Sequence, residues 1–316
     1  MELPVPVGRL APSPTGLLHL GHARSFLLAF WHVRRRGGRL VLRLEDLDGP
    51  RVQPEWVSAT LRDLSWLGLD WDGQPQLQSD NIERIRSAAR DLEERGLAYA
   101  CICTRGELRA SSAPHAGDAE PRYPGTCQQR FASLSAAEAA SGRRAGLRFL
   151  VPPGAITIQD GFAGTSSWDV AADVGDFLIL RRDKLPAYQL AVVVDDAAQG
   201  ITEVLRGDDL LSSAARQWHL QRALGLPTPA WFHVPLVCDA SGRRLAKRSD
   251  DLSLAELRAR GVDARAVIGW VAASAGMRVP ERVSAREAAS EFDLARLPRS
   301  PVLLREEDLT RLAASR

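Results

Sequence analysis

The apolar-rich stretch Val5 to Ala11 gives way to Pro12-Ser13-Pro14-Thr15-Gly16, and apolar residues return with helical spacing from Leu20 to Trp31. This pattern predicts a strand, a sharp turn and a core helix that Gly37-Gly38 ends. Leu40-Val41-Leu42-Arg43-Leu44 then reads as a second buried strand, and Trp56 to Leu67 as an amphipathic helix. Strand, helix, strand, helix is the signature of a parallel sheet with crossover helices, an α/β fold. In such sheets ligands bind beyond the carboxyl ends of the strands.

Residues 80–96 continue in helical period, after which Tyr99 to Arg130 carries Cys, Gly, Pro and Ser with no apolar period and reads as an insertion. Short strand-like pieces fill Leu147 to Leu180, a helix-like run spans Tyr188 to Ala198, and Ile201 to Leu205 restores a buried strand. Trp231 to Val237 reads as the last strand. The turn Asp239-Ala240-Ser241-Gly242 follows, and the remainder reads as short helices.

Composition adds little to the class but excludes several functions. A chain of 316 residues with 45% hydrophobic and 25% charged residues has room for a large core, so it is too long for a lone binding module. No stretch reads as a membrane span or a cleavable signal, so a cytoplasmic protein is expected. The net charge of +2 does not announce a nucleic-acid binder. Only Lys184 and Lys247 are lysines among 41 basic residues. A chain so biased to arginine keeps lysine chiefly where a compact ammonium is needed, which singles out Lys247; Lys184, in Arg182-Asp183-Lys184, reads as a turn residue.

Two constellations carry candidate chemistry. His19 and His22, three apart after the Pro/Gly turn, would share one face at a helix start, where free backbone N–H groups and the helix dipole favour phosphate. Gly21 would let a ligand approach closely. The second is Cys101-x-Cys103 with Tyr123-x-x-x-Cys127. Four cysteines are too few for a disulfide framework, and three clustered thiols suggest a structural zinc site lacking one ligand, for which composition nominates His115. Cys238 reads as a small buried hydrophobe.

His19-Leu20-Gly21-His22 resembles the HIGH signature of class I aminoacyl-tRNA synthetases, and Arg9-Leu10-Ala11-Pro12-Ser13-Pro14-Thr15-Gly16 resembles their glutamyl and glutaminyl branch. The likeness continues through Arg43-Leu44-Glu45-Asp46-Leu47-Asp48, Leu67-Gly68-Leu69-Asp70-Trp71-Asp72, the stretch Tyr188 to Asp196, and Val204-Leu205-Arg206-Gly207-Asp208-Asp209-Leu210. Arg244-Leu245-Ala246-Lys247-Arg248 is similar to the KMSKS loop, with Ala246 where a serine is usual and Arg244 where a lysine is usual.

The resemblance implies a Rossmann-type catalytic domain whose halves are residues 1–98 and 147–240. Around them it implies a zinc-binding insertion at 99–146 and, at 241–316, a KMSKS-type loop with a small helical subdomain and no anticodon-binding domain. It implies glutamate bound by Arg9, Ala11, Ser13, Glu45, Tyr188 and Arg206. ATP, with Mg²⁺, would be bound by His19, Gly21, His22 and Lys247, and both histidines and the lysine would be catalytic. It also implies Tyr123 as the fourth zinc ligand beside Cys101, Cys103 and Cys127, because the glutamyl-queuosine enzymes carry a Cys-x-Cys…Tyr-x-x-x-Cys pattern. The expected partners are ATP, L-glutamate and tRNA(Asp) bearing queuosine, with a monomeric enzyme. The alternatives are a truncated glutamyl-tRNA synthetase charging a tRNA 3′ end, a small-molecule ligase and an inactive RNA-binding paralogue.

Overall fold

The computed structural model describes residues 5–104, 106–108, 122–243, 245 and 253–315. Strand β1 (Val7–Leu10) leads through helix α1 (Leu20–Arg34) to β2 (Arg39–Leu44), which lies parallel to β1 with Arg9 opposite Val41. Helix α1 has no glycine or proline beyond its first turn to interrupt it, and Gly37, at φ 65°, turns the chain back. Gly8 permits the close fit of helix on strand, because a Cβ there would lie 2.4 Å from a Val33 methyl. Helix Pro54–Trp66 follows, and β3 (Gln76–Leu77) adds outside β2.

Beyond helix Ile82–Glu94, β4 (Ala98–Cys101) and β5 (Gly146–Phe149) pair antiparallel. Next come the hairpin of β6 (Ile156–Asp160) and β7 (Gly164–Trp168), then β8 (Phe177–Leu180), which pairs with β5. Cys101 therefore ends a strand, where the sequence pattern suggested loop. Helix Tyr188–Ala198 leads to β9 (Glu203–Gly207), and helix Leu211–Leu224 to β10 (Ala230–Val234), which lies parallel to both β9 and β6. The amide of Thr202 donates to Val7 O at 2.9 Å, and its hydroxyl accepts from Val7 N–H at 2.9 Å, so β9 enters alongside β1. The strands thus run in the order β3-β2-β1-β9-β10-β6. Their order reverses between β1 and β9, the crevice where ligands bind in open α/β sheets.

The expected strand Trp231 to Val237 breaks. Pro235 has no N–H to offer a ladder, and its carbonyl accepts from Arg24 Nη1 at 2.5 Å. The chain re-forms as β11 (Val237–Cys238), parallel to β12 (Val302–Leu303), so a strand lies among the C-terminal helices as well. These helices share one apolar core with α1, in which Leu27, Trp31, Val267, Val271 and Phe292 are at most 1% exposed. The Trp31 indole donates to Ala285 O at 2.8 Å, and burying so large a side chain is worth about 3 kcal/mol. Cys238 is buried. Lys184, at φ 65°, bonds Glu138 at 2.6 Å and so ties its turn to helix Leu134–Ser141. Among the described residues no helix is long and apolar enough to cross a membrane.

One ion cluster gives the fold a pH dependence. Although burial alone would raise it, hydrogen bonds from His32 and Arg36 hold the Glu203 carboxyl at about 2. A depressed carboxyl stabilises above its unfolded pKa, and that stability is lost as pH falls from about 4.3 toward the folded value. Glu203→Gln is expected to remove about 3 kcal/mol of stability at neutral pH and to flatten this acid limb. Urea melts across the window check it: parallel pH curves for the two proteins would contradict the assignment.

Candidate active site

The crevice between β1 and β9 holds a cavity of about 420 Å³. Arg9 and Ala11 reach its wall from β1 and the residue after it, Ser13 from the Pro/Gly turn, and Glu45 from the end of β2. Tyr188 comes from the first residue of its helix, Arg206 from β9, and His19, Gly21 and His22 from the start of α1. Nine expected residues from separate parts of the chain thus meet in one space. Lys247 lies outside the described residues, as do Arg244, Ala246 and Arg248. Leu245, two positions before Lys247, lines the cavity. Ser253, on the far side of that segment, bridges to His19, and the amide of Leu254 donates to Leu18 O at 2.8 Å.

The histidines do not share a helical face as the spacing suggested. His19 is the extended N-cap residue of α1, and its Nδ1 accepts from the Gly21 amide at 3.1 Å. The His19 amide donates in turn to His22 Nδ1 at 3.2 Å, and the ring centroids are 3.8 Å apart. One of the helix-start amides expected to be free, that of Gly21, is thus taken by an imidazole. Because both Nδ1 atoms accept, each neutral ring carries its proton on Nε2, a donor suited to a phosphate oxygen. A Cβ at Gly21 would sit 3.0 Å from His19 Cε1, so glycine keeps this cap closed.

The acidic and basic groups form a buried lattice. Arg43, not among the expected site residues, is 1% exposed and bonds Glu45 at 3.1 Å, Asp196 at 2.7 Å and Gln199 at 2.7 Å. Arg9 Nε stands 3.6 Å from the same Asp196 carboxylate. Burial raises the Glu45 carboxyl's pKa despite Arg43 and Arg9, a bias that an ammonium partner would reverse. Arg206 makes no bond to Asp208, the ion pair that β9's end would suggest in isolation. Its Nε donates to His233 Nε2 at 2.9 Å, and its Nη2 donates to Gln217 at 2.9 Å and to Leu210 O at 3.3 Å. Among the described residues Nη1, itself buried, has no hydrogen-bond partner. Burial, with Arg9 nearby, lowers the pKa of Arg206. Arg206, whose bonds include no carboxylate, lines the cavity with Arg9, and the two suit an anion that supplies the counter-charge Arg206 lacks. Sequence reading missed Arg43, Asp196 and His233 as parts of this lattice; the quoted motifs contain the first two, while nothing local marks the third.

The sulfurs of Cys101, Cys103 and Cys127 lie within 4.8 Å of one another, and those of Cys103 and Cys127 are 3.6 Å apart. The Tyr123 hydroxyl is 3.4 Å from the Cys101 sulfur and 3.9 Å from that of Cys103, and it accepts the Cys127 amide at 2.9 Å. A tetrahedral zinc separates its sulfurs by about 3.8 Å, and a sulfur from an oxygen ligand by about 3.5 Å, so this donor set fits one. His115 lies outside the described residues. Arg148 lies 3.7 Å over the Tyr123 ring and donates to Cys101 Sγ at 3.2 Å, holding the phenol against the thiols. Between this cluster and the first cavity lies a second chamber of about 440 Å³ that shares Ser13, Glu45 and Tyr188 with it and reaches Tyr123 and Arg148.

Comparison with known proteins agrees with this geometry. The family described as tRNA synthetases class I (E and Q), catalytic domain, matches residues 6–311. A glutamyl-Q tRNA(Asp) synthetase of Symbiobacterium thermophilum is 45% identical, over 97% of this chain and 98% of its own. One from Nitratidesulfovibrio vulgaris is 42% identical, over 96% and 97%. Among solved structures, a glutamate tRNA ligase from Elizabethkingia meningosepticum in complex with its amino acid superposes with a TM-score of 0.81 at 25% identity, over 96% of this chain and 68% of that one. A parallel sheet whose switch-point cavity gathers the HIGH-like turn with two buried arginines, matched along nearly its whole length, places the chain in the class I tRNA synthetase (E and Q) catalytic-domain family.

Proposed function

We propose that this protein activates L-glutamate with ATP and transfers it to the queuosine base of tRNA(Asp). The observation that carries the reading is the gathering of Arg9, Arg206, Glu45 and the His19–His22 cap around one cavity. Arg9 and Arg206 match the charge of a dicarboxylic amino acid, Glu45 accepts from its ammonium, and Ala11, Ser13 and Tyr188 complete the wall. The names of the relatives, which align over nearly their full lengths, support the acceptor.

In the first step the α-carboxylate of glutamate attacks the α-phosphorus of ATP, a P–O bond forms, and the bond to the pyrophosphate oxygen breaks. The Nε2–H groups of His19 and His22 donate to phosphate oxygens, Gly21 lets the nucleotide lie close, and Lys247 neutralises charge on the departing pyrophosphate. Mg²⁺ accompanying ATP supplies further charge neutralisation. In the second step a hydroxyl of the queuosine cyclopentenediol attacks the activated carbonyl and AMP leaves. The second chamber, which shares Ser13, Glu45 and Tyr188 with the first as lining residues, is the approach for that hydroxyl. Cys101, Cys103, Tyr123 and Cys127 hold a structural zinc that pins the insertion to β4, beside this approach.

Labelled glutamate and ATP, offered with tRNA(Asp) containing or lacking queuosine, test the acceptor. Label is expected only on the queuosine-containing RNA, and in its anticodon fragment after nuclease digestion. Equal labelling of the two RNAs, or label at the 3′ ribose, would overturn the proposal.

A further inference from the structure

We infer that Asp160 and His233 are positioning residues that set the guanidinium of Arg206 for the substrate carboxylate, an inference resting on the reading that Arg206 binds glutamate. Three adjacent strands each contribute one member. His233 on β10 stands directly opposite Arg206 on β9, while Asp160 ends β6, level with Trp231. Asp160 is immobilised first: its Oδ1 accepts the amides of Phe162 at 2.9 Å, Ala163 at 2.7 Å and His233 at 3.1 Å. This tight turn needs Gly161, where a Cβ would lie 2.2 Å from Phe232 Cε1.

The other oxygen of Asp160 takes His233 Nδ1 at 2.6 Å, with both side chains fully inaccessible. A carboxylate at that distance holds the proton on Nδ1 and leaves Nε2 with a lone pair, which accepts from Arg206 Nε at 2.9 Å. The opposite tautomer would set an N–H against an N–H. With Gln217 and Leu210 taking Nη2, the guanidinium is held on two sides, and among the described residues only its buried Nη1 is left without a hydrogen-bond partner, on a residue that lines the cavity. The relay thus sends the negative charge of Asp160 toward Arg206 through a neutral ring and fixes the orientation of the guanidinium beside the cavity.

Two variants separate this role from a merely structural one. His233→Asn keeps an amide donor for Asp160 but withdraws the acceptor from Arg206, whereas His233→Gln can place an oxygen near the position of Nε2. In glutamate-dependent ATP–pyrophosphate exchange, His233→Asn is expected to raise KM for glutamate about tenfold while KM for ATP and kcat stay within about twofold. His233→Gln is expected to recover most of the loss. An unchanged glutamate KM in His233→Asn, or equal shifts of both KM values in the two variants, overturns the relay. If Arg206→Leu leaves the glutamate KM unmoved, the underlying reading fails instead, so the two failures are distinguishable.

Discussion

Arg206→Leu is expected to lower kcat/KM for glutamate in ATP–pyrophosphate exchange by about 10²–10³, the cost of removing one partner of a buried, hydrogen-bonded charge pair. The reason lies in what surrounds the guanidinium. It is 6% exposed, with Nε and Nη2 bonded to His233, Gln217 and Leu210. Leucine would fill the volume, yet it leaves Gln217 and His233 without their donor and presents an apolar end to a carboxylate. Arg206→Lys is expected to recover little, because one ammonium on a flexible stem cannot satisfy three neighbours and a ligand together. Initial rates against glutamate concentration, beside thermal melts of the same preparations, check this. A folded Arg206→Leu protein with wild-type kcat/KM would remove Arg206 from the site.

Lys247→Ala is expected to slow the exchange rate at saturating glutamate by about 10²–10³, while glutamate affinity measured by equilibrium dialysis stays within about twofold. The split follows from the proposed chemistry: the ammonium meets charge that develops only as pyrophosphate departs, so it favours the transition state and not the bound amino acid. Leu245 lines the cavity two positions earlier, and two residues of chain reach at most about 7 Å. Lys247→Arg is expected to keep part of the rate, since charge survives while shape changes. An exchange rate for Lys247→Ala equal to wild type would exclude the residue from the first step.

Much of the architecture follows from local pattern. The helix from Leu20, the strand ending at Leu44 and the helix from Tyr188 to Ala198 appear where apolar spacing places them. Nine of the candidate active-site residues, from Arg9 to Arg206, line one cavity although nearly two hundred positions separate its ends. The thiol group could be suspected from Cys101 and Cys103, close in sequence, with Cys127 further along the same insertion, while the fold brings the third sulfur to the other two. In these cases the information is contained in a short stretch or in a motif that imposes its own turn.

The sequence alone determined the α/β class, the opening strand-turn-helix unit and the identities of the groups in the cavity. Tertiary structure decided how those groups are held. It made His19 a cap and not a helical neighbour of His22, and stopped a strand at Pro235 so that Val237 could pair with Val302. It also set Arg43 between Glu45 and Asp196, and Asp160 and His233 behind Arg206. The physical reason is that a buried charge takes whichever partner the neighbouring strands bring opposite it. Strand register depends on the packing of the entire sheet, which no local window of residues contains.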